Sequence, residues 1–384
     1  MLFFSYSIIC PSRPDSVHQE NHPLHTMPKH RQNILDLSFA ELRDTMQSLN
    51  EPPFRAAQLH RSLYGGSLNS FSEMTTLSLK LRSQLTERFS IIPPETIRHT
   101  ATDDEHCSPA EKLLLRLADG KLIEAVLIPS NGRMTACISS QAGCKLQCSF
   151  CATGSMGFER NLTPGEMILQ VHELQRLAKH RDATGRITNV VFMGMGEPLL
   201  NMENVYEAIS TLCHYNYETS LSEKKVTIST AGIVPGIVKL AESSSPLKLA
   251  VSLHAAEQEK RKTLMPVTAT MYPLDQLEDA LSRYTTLTGR PVTLVYMLLA
   301  GINDSMEDAK KLVHFSRRFL CKINLIDYNS IINMEYKPVC SSTSGIFQKY
   351  LINAGLHVTV RKSCGSSIDA ACGQLATNSK QCST

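Results

Sequence analysis

The sequence predicts an α/β protein: an open or partial (β/α)6 barrel preceded by a small helical region and a β-hairpin. Two observations carry this. Seven strand-like runs recur between Arg133 and Arg361 with helix-like segments between them, a rhythm that implies parallel strands joined by crossover helices. Residues 30–90, by contrast, carry helical signals. In such a barrel function sits at the carboxyl ends of the strands, so chemistry is sought in the residues that follow each run.

Taken in order, Ser38 to Glu41 has capping-box spacing, with Leu42, Met46 and Leu49 behind it as an apolar stripe. The run EPPFRAAQLHRSLYGG opens on prolines and closes on glycines, as a short helix does. Leu81, Leu85 and Phe89 predict a third helix. Arg55, His60 and Arg61 are interleaved here, and a solvated helix face is the favoured reading. KLLLRLADGKLIEAVLIP reads as a hairpin turning at Asp119-Gly120. Its second strand puts Glu124 on one face with Leu122, Val126 and Ile128. That face is either exposed, with Glu124 solvated, or buried, with a carboxyl of raised pKa able to trade protons.

The barrel strands are then RMTACIS, NVVFMG, KVTIS, LKLAVSL, VTLVYML, KINLID and HVTVR. One helix between them starts at Thr163-Pro164-Gly165-Glu166 (cap, N1 proline, capping-box acid) and continues with Met167, Val171 and Leu174. Another starts at Ser305 and carries Leu312, Phe315 and Phe319. The expected segments are a poorly ordered extension at 1–26, with Met27 a candidate start, then helices at 27–95. A linker and hairpin at 96–132, a barrel at 133–375 and a flexible tail at 376–384 follow.

Composition narrows the function. With 42% hydrophobic residues among 384, the chain is not a disordered protein. A net charge of +3 neither demands nor excludes nucleic acid, so an RNA surface has to come from local clustering of Lys and Arg. Twelve cysteines, unevenly spaced in a long chain, point to metal or redox chemistry rather than a secreted disulfide framework. MLFFSYSIIC lacks a basic lead and is too short to span a bilayer, and no later run reaches that length. A cytoplasmic protein without membrane contact is expected.

The strongest motif is GCKLQCSFCATG, whose Cys144, Cys148 and Cys151 follow the first barrel strand. Three thiolates fall short of the four ligands of a structural zinc site, and no fourth Cys or His stands at finger-like spacing. An iron–sulfur cluster held by three thiolates keeps one iron open for a substrate, and Phe150 could shield it. Other strand ends are polar. Glu197 follows Gly194 and Gly196 in MGMGEP, Ser229 ends KVTIS, Ser252-Leu253-His254 ends the next run, and Asn329 ends KINLIDYN. Each alone reads as a turn or cap residue; converging on one rim, they read as ligand contacts.

The cysteine loop is that of the radical S-adenosylmethionine (SAM) superfamily. From about residue 30 to Leu375 the chain closely resembles the adenine-C2 RNA methyltransferases of the RlmN type. The resemblance rests on PPFRAAQLH, CISSQAGCKLQCSFCATG, GFERNLTPGEM, NVVFMGMGEPLLN, VTISTAGIVPGI, VSLHA, CKINLI and IDAACGQL. It implies that Cys144, Cys148 and Cys151 bind a [4Fe–4S] cluster whose open iron is chelated by SAM. It further implies that Gly196, Glu197, Ser229, Ser252, Leu253, His254 and Asn329 bind SAM, and that the N-terminal helices help to engage RNA. Cys137 and Cys372, otherwise unremarkable buried hydrophobes, gain roles by the same resemblance. Cys372 takes a methyl from one SAM, and a radical made from a second SAM removes hydrogen from that methyl. The carbon so activated bonds to carbon 2 of adenine. An electron and the carbon-2 proton are lost, Glu124 accepting the proton. Cys137 then attacks the Cys372 sulfur, releasing methylated RNA and leaving a disulfide for external reductant to reopen.

The implied substrates are 23S rRNA at the peptidyl-transferase centre and tRNA at the adenosine 3′ of the anticodon. The implied partner is an electron donor such as flavodoxin or ferredoxin, and the implied state a monomer. Two departures stand out. Cys364-Gly365-Ser366-Ser367 replaces an Arg-Gly-Asp-Asp-like run, and Tyr328-Asn329-Ser330 replaces Trp-Asn-Pro. Two other readings stay open: a carbon-8 methyltransferase of the antibiotic-resistance (Cfr-like) branch, and a non-catalytic iron–sulfur or zinc RNA-binding module.

Overall fold

The computed structural model describes residues 31–65, 70–102, 109–130, 132–181, 185–214, 221–243, 245–331, 334–361, 365 and 368–376. The expected extension at 1–26, Cys364, Ser366, Ser367 and the tail beyond Ala376 lie outside them. Ten strands form one sheet: β1 (Glu95–Ala101), β2 (Glu111–Arg116), β3 (Leu122–Ser130), β4 (Arg133–Cys137), β5 (Asn189–Phe192), β6 (Val226–Thr230), β7 (Lys248–Ser252), β8 (Val292–Leu298), β9 (Cys321–Asp327) and β10 (Val358–Arg361). They lie side by side in chain order. From β1 to β4 neighbours run antiparallel, and from β4 to β10 they run parallel.

Helices occur where the sequence places them. Those before the sheet are α1 (Phe39–Ser48), α2 (Phe54–Tyr64) and α3 (Leu79–Arg88). The crossover helices are α4 (Pro164–Arg181), α5 (Met202–His214), α6 (Val234–Glu242), α7 (Leu274–Thr288), α8 (Met306–Ser316) and α9 (Ser341–Asn353). Six crossovers join seven parallel strands, so the sheet is a (β/α)6 unit closed by one further strand. Both expected capping boxes form. Ser38 accepts from the Glu41 N–H while Glu41 accepts from the Ser38 N–H, and Thr163 and Glu166 do the same at α4. Each such cap contributes about 1 kcal/mol. Ser305 and Asp308 make a third at α8.

The extension is larger than a hairpin. β1 adds a third antiparallel strand, so β1–β3 continue the barrel sheet beyond its first parallel strand. Both faces of β3 are covered, and Glu124 is 4% exposed, so the solvated reading of that carboxylate does not hold. Nor does it hold for His60. Its ring is buried against Phe39 and Tyr64, and burial pushes its pKa down to about 4. Arg61 is exposed, as expected, and Arg55 is half-buried beside Glu51.

Alternation along the parallel strands separates two faces. Ala136, Val190, Ile228, Leu249, Val251, Leu294, Tyr296, Ile323 and Leu325 point outward and are no more than 1% exposed, within the core that the helices share. Inward residues are different: Ala250, Val295 and Ile326 form a separate small cluster with Met193 and Cys372. The described residues from Gln32 onward form one compact unit. No described helix is long and apolar enough to cross a membrane.

Candidate functional site

A pocket opens at the carboxyl ends of β4 to β9. Its wall includes Cys144, Cys148 and Cys151 from the loop after β4, and Gly194, Gly196 and Glu197 after β5. Ser229 of β6, Ser252 and His254 at the end of β7, and Asn324 and Ile326 of β9 complete the rim. Cys372 and Gly373, from the C-terminal segment, face the same space.

The cysteine loop is fastened at several points. The Cys144 N–H donates to Gly157 O at 2.7 Å, the Ser149 N–H to Leu264 O at 3.0 Å, and the Ser149 hydroxyl meets that of Tyr336 at 2.7 Å. Phe150 is buried and meets the His254 ring edge-on, with centroids 4.6 Å apart. Burial pushes the Cys144 thiol up to about 12 and raises those of Cys148 and Cys151 as well. Three desolvated thiols in one wall favour the thiolate only when positive charge is supplied to them, as a metal centre does. Among the described residues no three Cys, His, Asp or Glu side chains converge on a single-ion site. Three thiols from one short loop lining one wall are a donor set for an iron–sulfur cluster with one iron open, so the residues fit the group that the sequence implies. Arg261 lies behind them, fully buried. Its guanidinium donates to Ala231 O at 2.8 Å and Tyr272 O at 3.1 Å, and burial pushes its pKa down to about 10, with Cys148 opposing.

Glu197 is buried and has no cationic partner in the described structure. Its Oε1 accepts from the Leu199 N–H at 3.0 Å and its Oε2 from the Ala231 N–H at 2.7 Å. Burial nonetheless pushes its pKa up to about 7. A carboxylate so placed can accept from an ammonium group brought by a ligand. Gly196 holds φ at +96°, and a Cβ there would stand 2.5 Å from the Gln141 side chain. The glycine therefore serves the chain's own packing: Gln141 donates nothing to it but accepts from the Glu197 N–H at 2.9 Å, which fixes the carboxylate. His254 Nδ1 accepts from the Met297 N–H at 3.0 Å, so the neutral ring carries its proton on Nε2; burial pushes its pKa down to about 3.

The three residues expected to do covalent and proton chemistry are divided between the sheet and the pocket wall. Register pairs Cys137 with Val126 on β3 and Val191 on β5, so Cys137 and Glu124 share the inward face. Neither belongs to the pocket wall, whereas Cys372 does. Cys372 is a free thiol. The segment carrying Cys372 is pinned across the loop: the Ala152 N–H donates to Gly373 O at 2.7 Å and the Thr153 hydroxyl to Leu375 O at 2.6 Å. Glu124 joins this fastening. Its Oε2 accepts from the Ala376 N–H at 3.0 Å, and its Oε1 lies 3.1 Å from Lys112 Nζ, which also donates to Asp369 O at 3.1 Å. Burial raises the Glu124 pKa and Lys112 opposes the rise.

Two expected contacts fall elsewhere. Leu253 is core, its N–H bonded to Val295 O at 3.0 Å, and Asn329 is not part of the wall; its amide turns back toward Asp327 O at 3.4 Å. Asn324 stands in the wall instead. Reading two-residue alternation back from the end of KINLID would have found it. Lys112 and Arg261 carried no signal of this kind, because their partners are distant in sequence.

A family model of the radical SAM superfamily matches residues 138–313, and one of the ribosomal RNA large subunit methyltransferase N-terminal domain matches residues 32–91. The chain is 56% identical to a probable dual-specificity RNA methyltransferase RlmN of Pelodictyon phaeoclathratiforme, over 92% of this chain and 99% of the relative. A protein of the same description from Chlorobium phaeovibrioides is also 56% identical, over 93% and 96%. Among solved structures, a radical SAM methyltransferase from Sphaerobacter thermophilus superposes with a TM-score of 0.82 at 38% identity, covering 90% of this chain and 99% of that one.

Proposed function

The chain belongs to the RlmN family of radical SAM RNA methyltransferases, and from that premise we propose that it methylates carbon 2 of adenosine in 23S rRNA and in tRNA, through a methyl group carried on Cys372. The observation that carries the proposal is the position of Cys372. It is held on the C-terminal segment, yet faces the pocket that also holds Cys144, Cys148, Cys151, Glu197, Ser229 and Ser252. A methyl acceptor and the ligands of a radical-generating cofactor are thereby directed at one space.

When bound, the cluster and SAM supply a methyl group for a thiolate and a radical that abstracts hydrogen. The chain's residues supply the rest. Cys144, Cys148 and Cys151 hold the cluster, and Glu197 takes the ammonium group of SAM. Gly196, Ser229, Ser252 and His254, with Asn324 in the place expected of Asn329, form its remaining surroundings. Cys372 acts as nucleophile, and its methyl carbon, once relieved of hydrogen, bonds to carbon 2. Glu124 accepts the carbon-2 proton as one electron leaves to an external acceptor. Cys137 then displaces the modified carbon from the Cys372 sulfur, and a proton completes the new methyl group. Each turnover consumes two SAM molecules and leaves a Cys137–Cys372 disulfide for a reductant to reopen. The helices of residues 27–95 assist RNA engagement in a monomeric cytoplasmic enzyme served by a flavodoxin- or ferredoxin-type donor.

Anaerobic reconstitution with labelled SAM and both RNAs, followed by nucleoside analysis, tests this. Label at carbon 2 that vanishes in Cys372→Ala, and a covalent protein–RNA adduct that accumulates in Cys137→Ala, are expected. Label at carbon 8, or activity retained in Cys372→Ala, overturns it.

A further inference from the structure

The inward face of the sheet changes character along its length. At the carboxyl ends it forms the pocket. Toward the amino ends the inward positions become Thr135, Thr227, Thr293 and Asn324, all half-buried, while their outward neighbours are sealed. At the amino rim the inward positions are Arg133 on β4, Lys225 just before β6, Lys248 on β7 and Lys322 on β9, each exposed. Register fixes their relation: Thr227 pairs with Lys248, Ala250 with Thr293, and Thr293 with Lys322, so Lys322 stands beside Thr293 while Lys248 lies two residues before the other neighbour of Thr293, Ala250. Lys248 senses this crowding: partial burial and then the charges of Lys225, Lys322 and Arg133 push its pKa down.

Four cations are thus gathered against their mutual repulsion, and none has an ion-pair partner among the described residues. Elsewhere the surface pairs its charges, as in Lys310–Glu307 and Arg283–Glu242. An unneutralised cluster on a chain of net charge +3 is a site for a polyanion. Below it Thr135, Thr227 and Thr293 make a polar trough, which gives way to Ala250, Val295 and Ile326, the small apolar cluster against which Cys372 packs. The trough also leads to the active pocket: Thr227 is followed inward by Ser229, Lys248 by Ala250 and Ser252, and Lys322 by Asn324 and Ile326. From Lys248 to Ser252 is four residues of strand, about 13 Å. One extruded nucleotide covers an interval of that order, with its phosphate at the rim and its base at the pocket.

We infer that the inward face is the path by which RNA enters: Arg133, Lys225, Lys248 and Lys322 hold backbone phosphates of a single-stranded segment, and the target base lies along the Thr227, Thr293 and Asn324 trough to reach Cys372. The inference rests on the RNA-methyltransferase reading above and adds the surface that receives the strand. Phosphate contacts of this kind position the RNA without reading its sequence.

The test measures binding of a fluorescent RNA hairpin, with the target adenosine in its loop, to the reconstituted full chain at several salt concentrations. Lys248→Glu/Lys322→Glu is compared with the wild type and with Arg283→Glu/Lys310→Glu, which changes net charge equally on helices α7 and α8. Lys248→Ala/Lys322→Ala provides the salt dependence without added repulsion. The Glu pair is expected to bind at least about tenfold more weakly, and the Ala pair to lose about 1.4 from the slope of log affinity against log salt, at roughly 0.7 per phosphate. The helix pair should bind as the wild type does. Methyl loading of Cys372 from labelled SAM, measured without RNA, reports whether the pocket is intact. Unchanged binding by both lysine pairs, or an equal loss in the helix pair, overturns the inference. Wild-type protein that binds RNA through these lysines but leaves adenosine unmethylated supports this surface and sinks the catalytic reading. Wild-type protein that binds no RNA sinks both.

Discussion

Glu197 and Glu124 are both buried carboxyls, 3% and 4% exposed, yet they are completed in opposite ways. Glu197, at a strand end in the pocket, is held by amide hydrogen bonds and lacks a resident cation among the described residues, so burial prevails and its pKa stands at about 7. Glu124, on the antiparallel extension, keeps Lys112 at 3.1 Å and the Ala376 N–H at 3.0 Å, and Lys112 opposes the rise caused by burial. A buried acid without a counter-charge waits for one from a ligand. One with a counter-charge has that rise opposed, which favours the anion that a proton acceptor must be. Under the proposed function the same contrast separates the acid that binds from the acid that takes a proton.

The largest effect is expected at Glu124, the proposed proton acceptor. Glu124→Gln keeps a carbonyl acceptor for the Ala376 N–H and removes the basic oxygen. Turnover of RNA should fall by about two to four orders of magnitude, the usual worth of a general base, with SAM affinity and methyl loading of Cys372 kept. Single-turnover methylation of an RNA hairpin checks this. A fall of less than tenfold would reduce Glu124 to a fastening of the C-terminal segment.

Glu197→Gln should act earlier and less. It removes one charge-assisted contact to an ammonium group, worth about 1.5–3 kcal/mol, so SAM affinity should weaken by roughly ten- to a hundredfold. Calorimetric titration of SAM into the reconstituted protein reads this. The pH dependence has a definite sign. Glu197 must be ionised to receive the ammonium group, so wild-type affinity for SAM should fall as pH drops below about 7. Without ligand the sign is reversed. A carboxyl whose folded pKa lies above its unfolded value binds more protons when folded, so the unliganded protein should lose stability as pH rises from about 4.5 toward about 7. Glu197→Gln should flatten both profiles.

A related effect concerns the cation behind the cysteine loop. Arg261 is 0% exposed, its guanidinium donates to the Ala231 and Tyr272 carbonyls, and Cys148 is the group that opposes the fall of its pKa on burial. Arg261→Met should lower the midpoint of thermal unfolding and reduce iron retained per chain after reconstitution. Iron content equal to wild type would show that the loop does not rely on that charge.

Local signals made much of this molecule legible. Capping boxes at Ser38, Thr163 and Ser305 need partners only three residues away, and the strand runs carry their own periodicity. The cysteine loop and MGMGEP were visible for the same reason, since spacing within one short segment defines them. What stayed hidden depends on pairing across the chain. β1 becomes a strand through β2. His60 is buried because α5 brings Thr211 against it. Asn324 enters the pocket wall by register, and Asn329 leaves it because the chain turns after β9. Lys112 and Ala376 meet Glu124 from 12 residues before it and 252 after it, a separation that no window of sequence spans.

The smallest predicted effect is the sharpest test of the comparison. Lys112→Met keeps the length and apolar stem of the side chain while removing the charge that opposes burial at Glu124. The Glu124 pKa should then rise, which moves the acid limb of the RNA methylation profile to higher pH. At high pH, where Glu124 is ionised in both proteins, the variant should recover to within a few-fold of wild type. Lys112 also donates to Asp369 O, so the substitution loosens the Cys372 segment as well. A purely structural role would lower the rate by the same factor at every pH. A shift of the limb with recovery above it identifies Lys112 as the group that keeps Glu124 an anion, while a uniform loss would make the two buried carboxyls more alike than their surroundings indicate.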